Sequence, residues 1–343
     1  MSFHLLISRY KNLEMIGSGA IISAPDAPTG LTATPASATQ INLAWTDNAT
    51  DETGYKVYRS TNAVDYSLID TIAADLEAYS DTTVTGGTTY YYKVAAVNAG
   101  GESLSNADAS NTLLLTLISW WTLNEESAGA GAVTRNDSHS MNHLTDTNTV
   151  TSTTGKQGNA ANFVATSSEK LSIADNASVS LDGTDFTLAA WVYLTTVGAN
   201  RPLINKETVS TNREMLLLYV HSLTRFKFDI YSGGATLIAG ATADNLGVPA
   251  TGTWYFIVAW HDRTADTVNI QVNNGTADST ATGGTEIPAT NSIFYVGARA
   301  VETAQYHNGN IDEAGFWKRV LSADEKTALY NGGSGVGYAT INP

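Results

Sequence analysis

The chain has 343 residues, of which only 15% are charged, and its formal net charge is −15. It contains no cysteine, which excludes disulfides, thiolate metal sites and cysteine nucleophiles, and it offers no basic stripe with which to neutralise nucleic acid or an anionic membrane. No apolar run approaches the roughly 18 residues of a membrane helix, and the length suffices for two or three domains, each able to bury a core.

The chain opens on MSFHLLISRYKNLEMIGSGAIISA. Its apolar stretch Phe3–Ile7 is too short for an export signal, and Arg9, Lys11 and Glu14 break up the segment after it. Residues 1–24 are therefore expected to form a docking arm, held by the neighbouring domain or by a larger assembly. Ala24-Pro25-Asp26-Ala27-Pro28 is a Pro-rich linker into the first globular unit. Strand-like alternation appears next in Gln40–Thr46, Gly54–Ser60 and Thr88–Asn98. Short strands with turn clusters between them and no helical period predict a β-sandwich of about 90 residues.

Here the residues resemble fibronectin type III domains over 25–113. Pro28-Thr29-Gly30-Leu31, Trp45 and the run GTTYYYKVAAVNAGGES (87–103) carry the resemblance. It implies that Trp45 is core, that Tyr90 holds the tyrosine corner, and that Tyr92, Val94 and Ala96 lie on the buried face. Such modules serve as spacers or binding platforms.

A second unit is predicted over 115–337, with a C-terminal tail at 338–343. Its strands are aromatic-rich: Phe186–Leu194, Arg225–Tyr231, Trp254–His261, Val268–Val272 and Ile293–Val296. FTLAAWVYL and WYFIVAWH are apolar on both faces, so they are expected to be central and covered on each side. Asn274-Gly275 is a hairpin signal, since both residues tolerate positive φ. One large sandwich is expected, with helix confined to Ala323–Tyr330. Before that helix, Asn310–Arg319 reads as a strand. Period-two alternation there turns Ile311, Glu313 and Gly315 one way and Asp312, Ala314 and Phe316 the other. Ser322 and Glu325 have capping-box spacing, and Asn331-Gly332-Gly333 supplies a left-handed stop.

Three blocks in order resemble the laminin-G-like group of concanavalin A-like jelly rolls. They are LISWWTLNEESAGAGAVTRNDSHSMNHLT (117–145), GKQGNAANFVATSSEKLSI (155–173) and GNIDEAGFWKRVLSADEKTALYNGG (309–333). The resulting fold class is all-β: a small fibronectin type III-like sandwich, then a larger jelly roll. Relatives of this group often bind one Ca²⁺ where the first loop meets the last strand. The resemblance makes Asp137 and Asp312 the expected ligands, with Glu125, Asn136 and Asn142 beside them. The alternative is that Asp312 pairs locally and Asp137 shapes an Asx turn. The chain departs from the group at Ser138-His139-Ser140-Met141, where relatives carry glycine and asparagine.

No catalytic residue is assigned. A glycosidase needs two carboxyls about 5–9.5 Å apart, and strict alternation sends Asp312 and Glu313 to opposite faces. The six histidines lack metal-ligand spacing apart from His139-x-x-x-His143, and no nucleophile elbow or phosphate loop is present. Sugar binding on a sandwich face would draw on Tyr193, Tyr219, Tyr231, Arg213 and Arg299, weighed against their role as ordinary sheet cover. Asn48, Asn136, Asn176 and Asn274 stand in Asn-x-Ser/Thr sequences, which fit exposed loops.

Taken together, these features predict a non-enzymatic structural or attachment protein. Its expected setting is a bacteriophage virion, as a capsid decoration, fibre or tail appendage, joined to other virion proteins through residues 1–24 and recognising cell-surface glycans. The alternatives are a secreted bacterial carbohydrate-binding or adhesion protein at the cell surface, and an accessory part of a glycoside hydrolase. A homo-oligomer is compatible with each.

Overall fold

Alternation at period two builds the first domain. The computed structural model describes residues 22–125, 134–209, 212–234, 236–299 and 305–342. The strands of the first domain are β1 (Thr29–Ser37), β2 (Gln40–Thr46), β3 (Gly54–Ser60), β4 (Ser67–Ala73), β5 (Ala78–Asp81), β6 (Thr89–Asn98), β7 (Gly101–Leu104) and β8 (Asp108–Asn111). They form one sheet ordered β1-β2-β5 and another ordered β4-β3-β6-β7, with β8 pairing β6. In β2 the side chains of Ile41, Leu43 and Trp45 are buried while Asn42, Ala44 and Thr46 are exposed. Tyr92, Val94 and Ala96 are fully buried, and the Tyr90 hydroxyl accepts the Thr85 N–H at 3.1 Å, closing the expected tyrosine corner. Of the expected docking arm, residues 1–21 lie outside the described residues.

The second domain contains β9 (Leu117–Trp121), β10 (Thr134–Arg135), β11 (Leu144–Thr147), β12 (Thr151–Thr154), β13 (Asn159–Phe163), β14 (Lys170–Ile173), β15 (Phe186–Leu194) and β16 (Arg201–Val209). It continues through β17 (Asn212–Val220), β18 (Arg225–Tyr231), β19 (Leu237–Thr242), β20 (Trp254–Asp262), β21 (Thr267–Val272), β22 (Asp278–Ala281), β23 (Phe294–Val296) and β24 (Gly309–Trp317). One sheet runs β12-β13-β24-β15-β20-β21-β22, with β9 also on β24, and the other runs β10-β11-β14-β23-β16-β17-β18-β19. The core between them takes alternate residues of each central strand, such as Leu188, Ala190 and Val192 of β15 and Tyr255, Ile257 and Ala259 of β20.

The intervening residues of those strands do not face water. Ala189, Trp191, Phe256, Val258 and Trp260 form a second apolar cluster with Trp120, Trp317, Leu113, Leu321, Leu329 and Ile341. Its cover comes from the 3₁₀ turn Thr112–Leu114, from α1 (Ala323–Tyr330) and from α2 (Tyr338–Ile341). Two apolar faces on one strand thus reflect a sheet buried on both sides, as the sequence pattern predicts. The hairpin signal after β21 lands one residue off. Positive φ falls on Asn273 and Asn274 rather than Gly275, and a longer connection precedes the pairing of Ile270 with Asp278.

The segment after β24 clips this cover in place. Ser322 Oγ accepts the Glu325 N–H at 3.2 Å, and the Ser322 N–H reaches Glu325 Oε2 at 2.9 Å, a reciprocal capping box. Arg319 holds both oxygens of Glu325, at 2.6 and 2.8 Å, and donates to the carbonyls of Leu115 and Thr112. Asn331, at φ 47°, takes the left-handed closing position.

Candidate functional site

The strand that carries Asp312 and Glu313 does not alternate strictly. Gly315 pairs with Ala189 and Asp312 with Trp191, so Glu313 and Ala314 together oppose Ala190, and Glu313 has φ 46°. This is a β-bulge, with two residues facing one. Ile311, Ala314 and Phe316 all stay in the inter-sheet core. Asp312, paired with Trp191, and Glu313, whose Oε2 accepts the Trp120 indole N–H, both turn to the outer cluster. The expectation that the two carboxyls face opposite ways is thereby corrected. Gly315 lets the two indoles close over the strand, because a Cβ there would overlap the Trp317 ring and lie 3.2 Å from Trp120.

Beside this pair lies a shallow cleft of about 370 Å³, lined by Thr122, Asn124, Ser138, Gln157, Glu313 and Tyr338 among others. The turn Gly155–Gly158, closed by the Gly155 N–H on the Gly158 carbonyl at 2.9 Å, forms one wall. Its Lys156 and Gln157 N–H groups donate to Asp312 Oδ2 at 2.6 and 2.9 Å. Gln157 Nε2 donates to the Ser334 carbonyl at 2.9 Å, which fixes this side chain at the edge of the cleft it lines. Tyr338 leans on Trp120, ring centres 6.3 Å apart, and its hydroxyl meets His139 Nδ1 at 2.9 Å.

Burial governs the charge here. Asp312 is fully buried and Glu313 is 4% exposed. Desolvation raises the Asp312 carboxyl to about 7 in spite of the two backbone donors, and raises Glu313 to about 9 against the Trp120 hydrogen bond, with Asp312 adding to the rise. Glu313 therefore keeps its proton at neutral pH. A protonated carboxyl is both a donor and an acceptor, which suits a neutral, hydroxyl-rich ligand.

The five residues expected to hold Ca²⁺ divide into separate networks. Both oxygens of Asp137 are taken: Oδ1 accepts Trp120 N–H and His139 N–H at 3.0 and 2.9 Å, and Oδ2 accepts Ser140 Oγ and Asn142 N–H at 2.6 and 3.3 Å. Asn142 Oδ1 accepts from Asn176 and Ser178. Glu125 Oε1 accepts the Asn136 N–H at 2.7 Å. Glu125 Oε2 and Asp312 Oδ1 are buried and unpartnered, but each belongs to its own network. A hard cation needs six to eight converging oxygens; in the described residues the side-chain oxygens of Asp137 and Asn142 are engaged in local bonds, and the Asp137 bond to the His139 N–H has the spacing of an Asx turn.

Of the five expected sugar contacts, the fold brings three together elsewhere. On the outer face of the other sheet, Glu207 accepts Arg299 Nε at 2.9 Å and Arg213 Nε at 3.1 Å, and the Arg213 guanidinium lies 5.5 Å from the Tyr231 ring. Tyr231, Leu216 and Leu218 pack there as a small apolar cluster. The Lys227–Asp229 pair, 2.8 Å apart, lies on the same face. Glu207 is fully buried and Arg299 is 8% exposed, so this assembly is mainly scaffold. Tyr219 is corrected outright: at 1% exposure it packs in the inter-sheet core against Phe226, beyond reach of a ligand. Tyr193 sits half-buried against Trp254, 5.5 Å between rings. Nothing in the sequence pattern marks Glu313, Gln157 and Tyr338 as lining one cleft, because only the bulge and the folding back of residues 337–339 bring them together.

Two family models match the chain in series. The fibronectin type III model covers residues 26–112, and the model described as the concanavalin A-like lectin/glucanases superfamily covers 167–325. The chain joins a fibronectin type III domain to a concanavalin A-like domain. It is 38% identical over 103 residues to a poly(3-hydroxybutyrate) depolymerase of Ralstonia pickettii, a match that takes in 30% of this chain and 19% of the depolymerase. It thus spans less than a fifth of that curated relative. A Fn3-like protein from Clostridium thermocellum is 40% identical over 25% of this chain and 92% of its own, with a TM-score of 0.24. Domain 4 of an extracellular arabinanase from Geobacillus stearothermophilus, solved with arabinotriose, is 15% identical over 62% of this chain and 97% of its own, with a TM-score of 0.47. Among the described residues no helix is long and apolar enough to cross a membrane.

Proposed function

We propose that this protein is a non-enzymatic attachment module whose concanavalin A-like domain binds a neutral glycan in the cleft beside Glu313. The observation that supports this is the convergence of Tyr338, amide side chains and a proton-retaining carboxyl on one open concavity of about 370 Å³. An aromatic edge gives a sugar ring a surface to rest on, and the amides and the carboxyl supply directional hydrogen bonds. Hydrolysis through a retaining or base-assisted route needs a second, ionised carboxylate. Here the two acids are contiguous, both are desolvated, and both are held above the ordinary carboxylate range. The fibronectin type III domain acts as the spacer or platform that displays the binding domain. The proposed setting is the outside of a bacteriophage particle or of a bacterial cell, with residues 1–24 as the docking arm.

A glycan array comparing neutral and anionic oligosaccharides tests the binding reading. Retention of neutral glycans by the native protein, lost in Tyr338→Ala, is the expected result; equal retention by both proteins removes the cleft from consideration. Immunogold labelling of intact particles and cells, with and without residues 1–24, tests the setting.

A further inference from the structure

Lys206 of β16 is fully buried in the concanavalin A-like domain. Its register partners in β17 and β23 are Met215 and Phe294, both members of the inter-sheet core. Its Nζ nonetheless touches two acids. Asp175 Oδ1, from the β14–β15 connection, lies at 2.7 Å, and Glu214 Oε1, from β17, at 2.8 Å. The Ser292 carbonyl lies at 3.1 Å from the same nitrogen. The Lys206 and Glu214 side chains have no exposed surface, whereas that of Asp175 is 20% exposed.

Holding an ammonium between two carboxylates away from water is costly, and apolar packing would serve stability as well. The three groups also have the roles that a condensation requires. Lys206 offers a nitrogen nucleophile, and Asp175 places a carboxyl in contact with it. Glu214 touches the same nitrogen as an acid–base group. Burial raises its carboxyl above the ordinary value, against Lys206 and Thr290 and with Asp175 adding to the rise. A carboxyl raised in this way is the stronger base and the better proton carrier. Thr290 fixes its position, donating to Oε1 through its N–H at 3.1 Å and through its hydroxyl.

We propose that Lys206 and Asp175 condense within the folded chain to an isopeptide bond, with Glu214 carrying the protons. Two protons pass in turn from Nζ through Glu214 to one Asp175 oxygen. The Nζ–Cγ bond forms, the Cγ–O bond breaks, and that oxygen leaves as water. An ammonium and a carboxylate thereby become one neutral amide and one water, Glu214 ends as it began, and no co-reactant is consumed. Contact between the reacting groups gives the step the advantage of an intramolecular reaction. Exchanging two charges for an amide also removes the cost of keeping them buried. The exposed edge of Asp175 gives the water its exit. The link ties β16 to the β14–β15 connection in a chain that has no cysteine with which to do so.

Mass spectrometry of the full chain, purified folded and then denatured, tests the link. The intact mass should fall short of the sequence mass by one water, and a protease digest should contain a branched peptide joining the Asp175 and Lys206 segments. Asp175→Ala, at a partly exposed side chain, should restore the full mass for its sequence. Glu214→Gln, which cannot carry the protons, should leave most of the chain unlinked. The branched peptide is the deciding readout, because Asp182-Gly183 could also lose a water by closing to a cyclic imide. A native chain at its full sequence mass after prolonged incubation in the folded state, or a water lost without the branched peptide, overturns the proposal. Linkage as complete in Glu214→Gln as in the native chain overturns the role given to Glu214.

Discussion

Asp312 and Glu313 are adjacent in β24 and turn their carboxyls to the same side of the sheet. The bulge opposite Ala190 is the cause, and Trp120 and Trp191 are the neighbours that receive them. Two acids side by side under an apolar cover would repel if both were charged. The fold answers by desolvation, which keeps Glu313 protonated, and by two backbone donors on Asp312. On the proposed reading the pair holds a neutral ligand rather than performing acid–base chemistry.

That arrangement predicts a pH dependence of stability with a definite sign. Glu313 rises from 4.5 to about 9 and Asp312 from 3.8 to about 7 on folding. Groups raised in the folded state contribute stability that is fully present below their unfolded values, here near pH 4, and is lost as pH climbs through the folded values. The urea midpoint should therefore fall between about pH 5 and 9. At about 1.4 kcal/mol per unit, the loss from Glu313 between pH 5 and 8 is on the order of 3 kcal/mol. Glu313→Gln keeps an acceptor for Trp120 but has no proton to lose, so it should flatten most of the slope. An unchanged slope in that variant would show that Glu313 ionises freely.

The cleft makes a second prediction. Tyr338 and Gln157 reach it from different segments, and neither belongs to the inter-sheet core. Tyr338→Ala should weaken binding of a neutral oligosaccharide about tenfold or more, since a lost stacking surface is worth roughly 1–2 kcal/mol. Gln157→Ala should weaken it less, and neither change should lower the unfolding free energy by more than about 1.5 kcal/mol. Calorimetric titration checks the first figure and urea unfolding the second. If both variants bind as the native protein does, the ligand sits elsewhere.

The fold was legible where local signals agree with tertiary context. Trp45, Tyr90, the doubly apolar strands β15 and β20, and the Ser322–Glu325 capping box each have one reading at residue level, and each is found as predicted. The site was less legible because it depends on departures from periodicity. A strict period of two separates Asp312 from Glu313; the bulge that unites them is invisible without its partners Ala189 and Trp191. Tyr219 shows the converse limit. Its aromatic ring in a strand is equally consistent with cover or core, and only the packing of Phe226 against it decides.

Gly240 provides a third test, on the other face of the sandwich. It lies across from Asp229, and a Cβ there would overlap Asp229 Oδ1 and come within 3.1 Å of Lys227 Nζ. The Lys227–Asp229 pair, 2.8 Å long, occupies the space a side chain would need. Gly240→Ala should therefore destabilise the domain by about 1–3 kcal/mol, the range for overpacking a close contact. Shortening the acid in the same background, as Gly240→Ala with Asp229→Ala, should recover part of that loss. Urea unfolding of the single and double variants is the measurement; a neutral single variant would mean the sheet opens there without strain.

Glu325 offers the sharpest prediction about the closing clip, because it serves two structures at once. Its backbone N–H and its carboxylate complete the capping box with Ser322, while the same carboxylate holds Arg319 through two hydrogen bonds and is itself fully buried. Ser322→Ala removes only the cap and should cost about 1 kcal/mol. Glu325→Ala also strands the Arg319 guanidinium, 15% exposed at its side chain, so its cost should approach roughly 3–5 kcal/mol, as for breaking one partner of a buried pair. The clip covers Trp191, Phe256 and Trp260 through Leu321 and Leu329, and loosening it should expose those rings. Tryptophan emission should accordingly shift to the red in Glu325→Ala and hardly at all in Ser322→Ala. Equal losses of stability in the two variants would reduce the role of Glu325 to capping alone and leave Arg319 to be held by the carbonyls of Thr112 and Leu115.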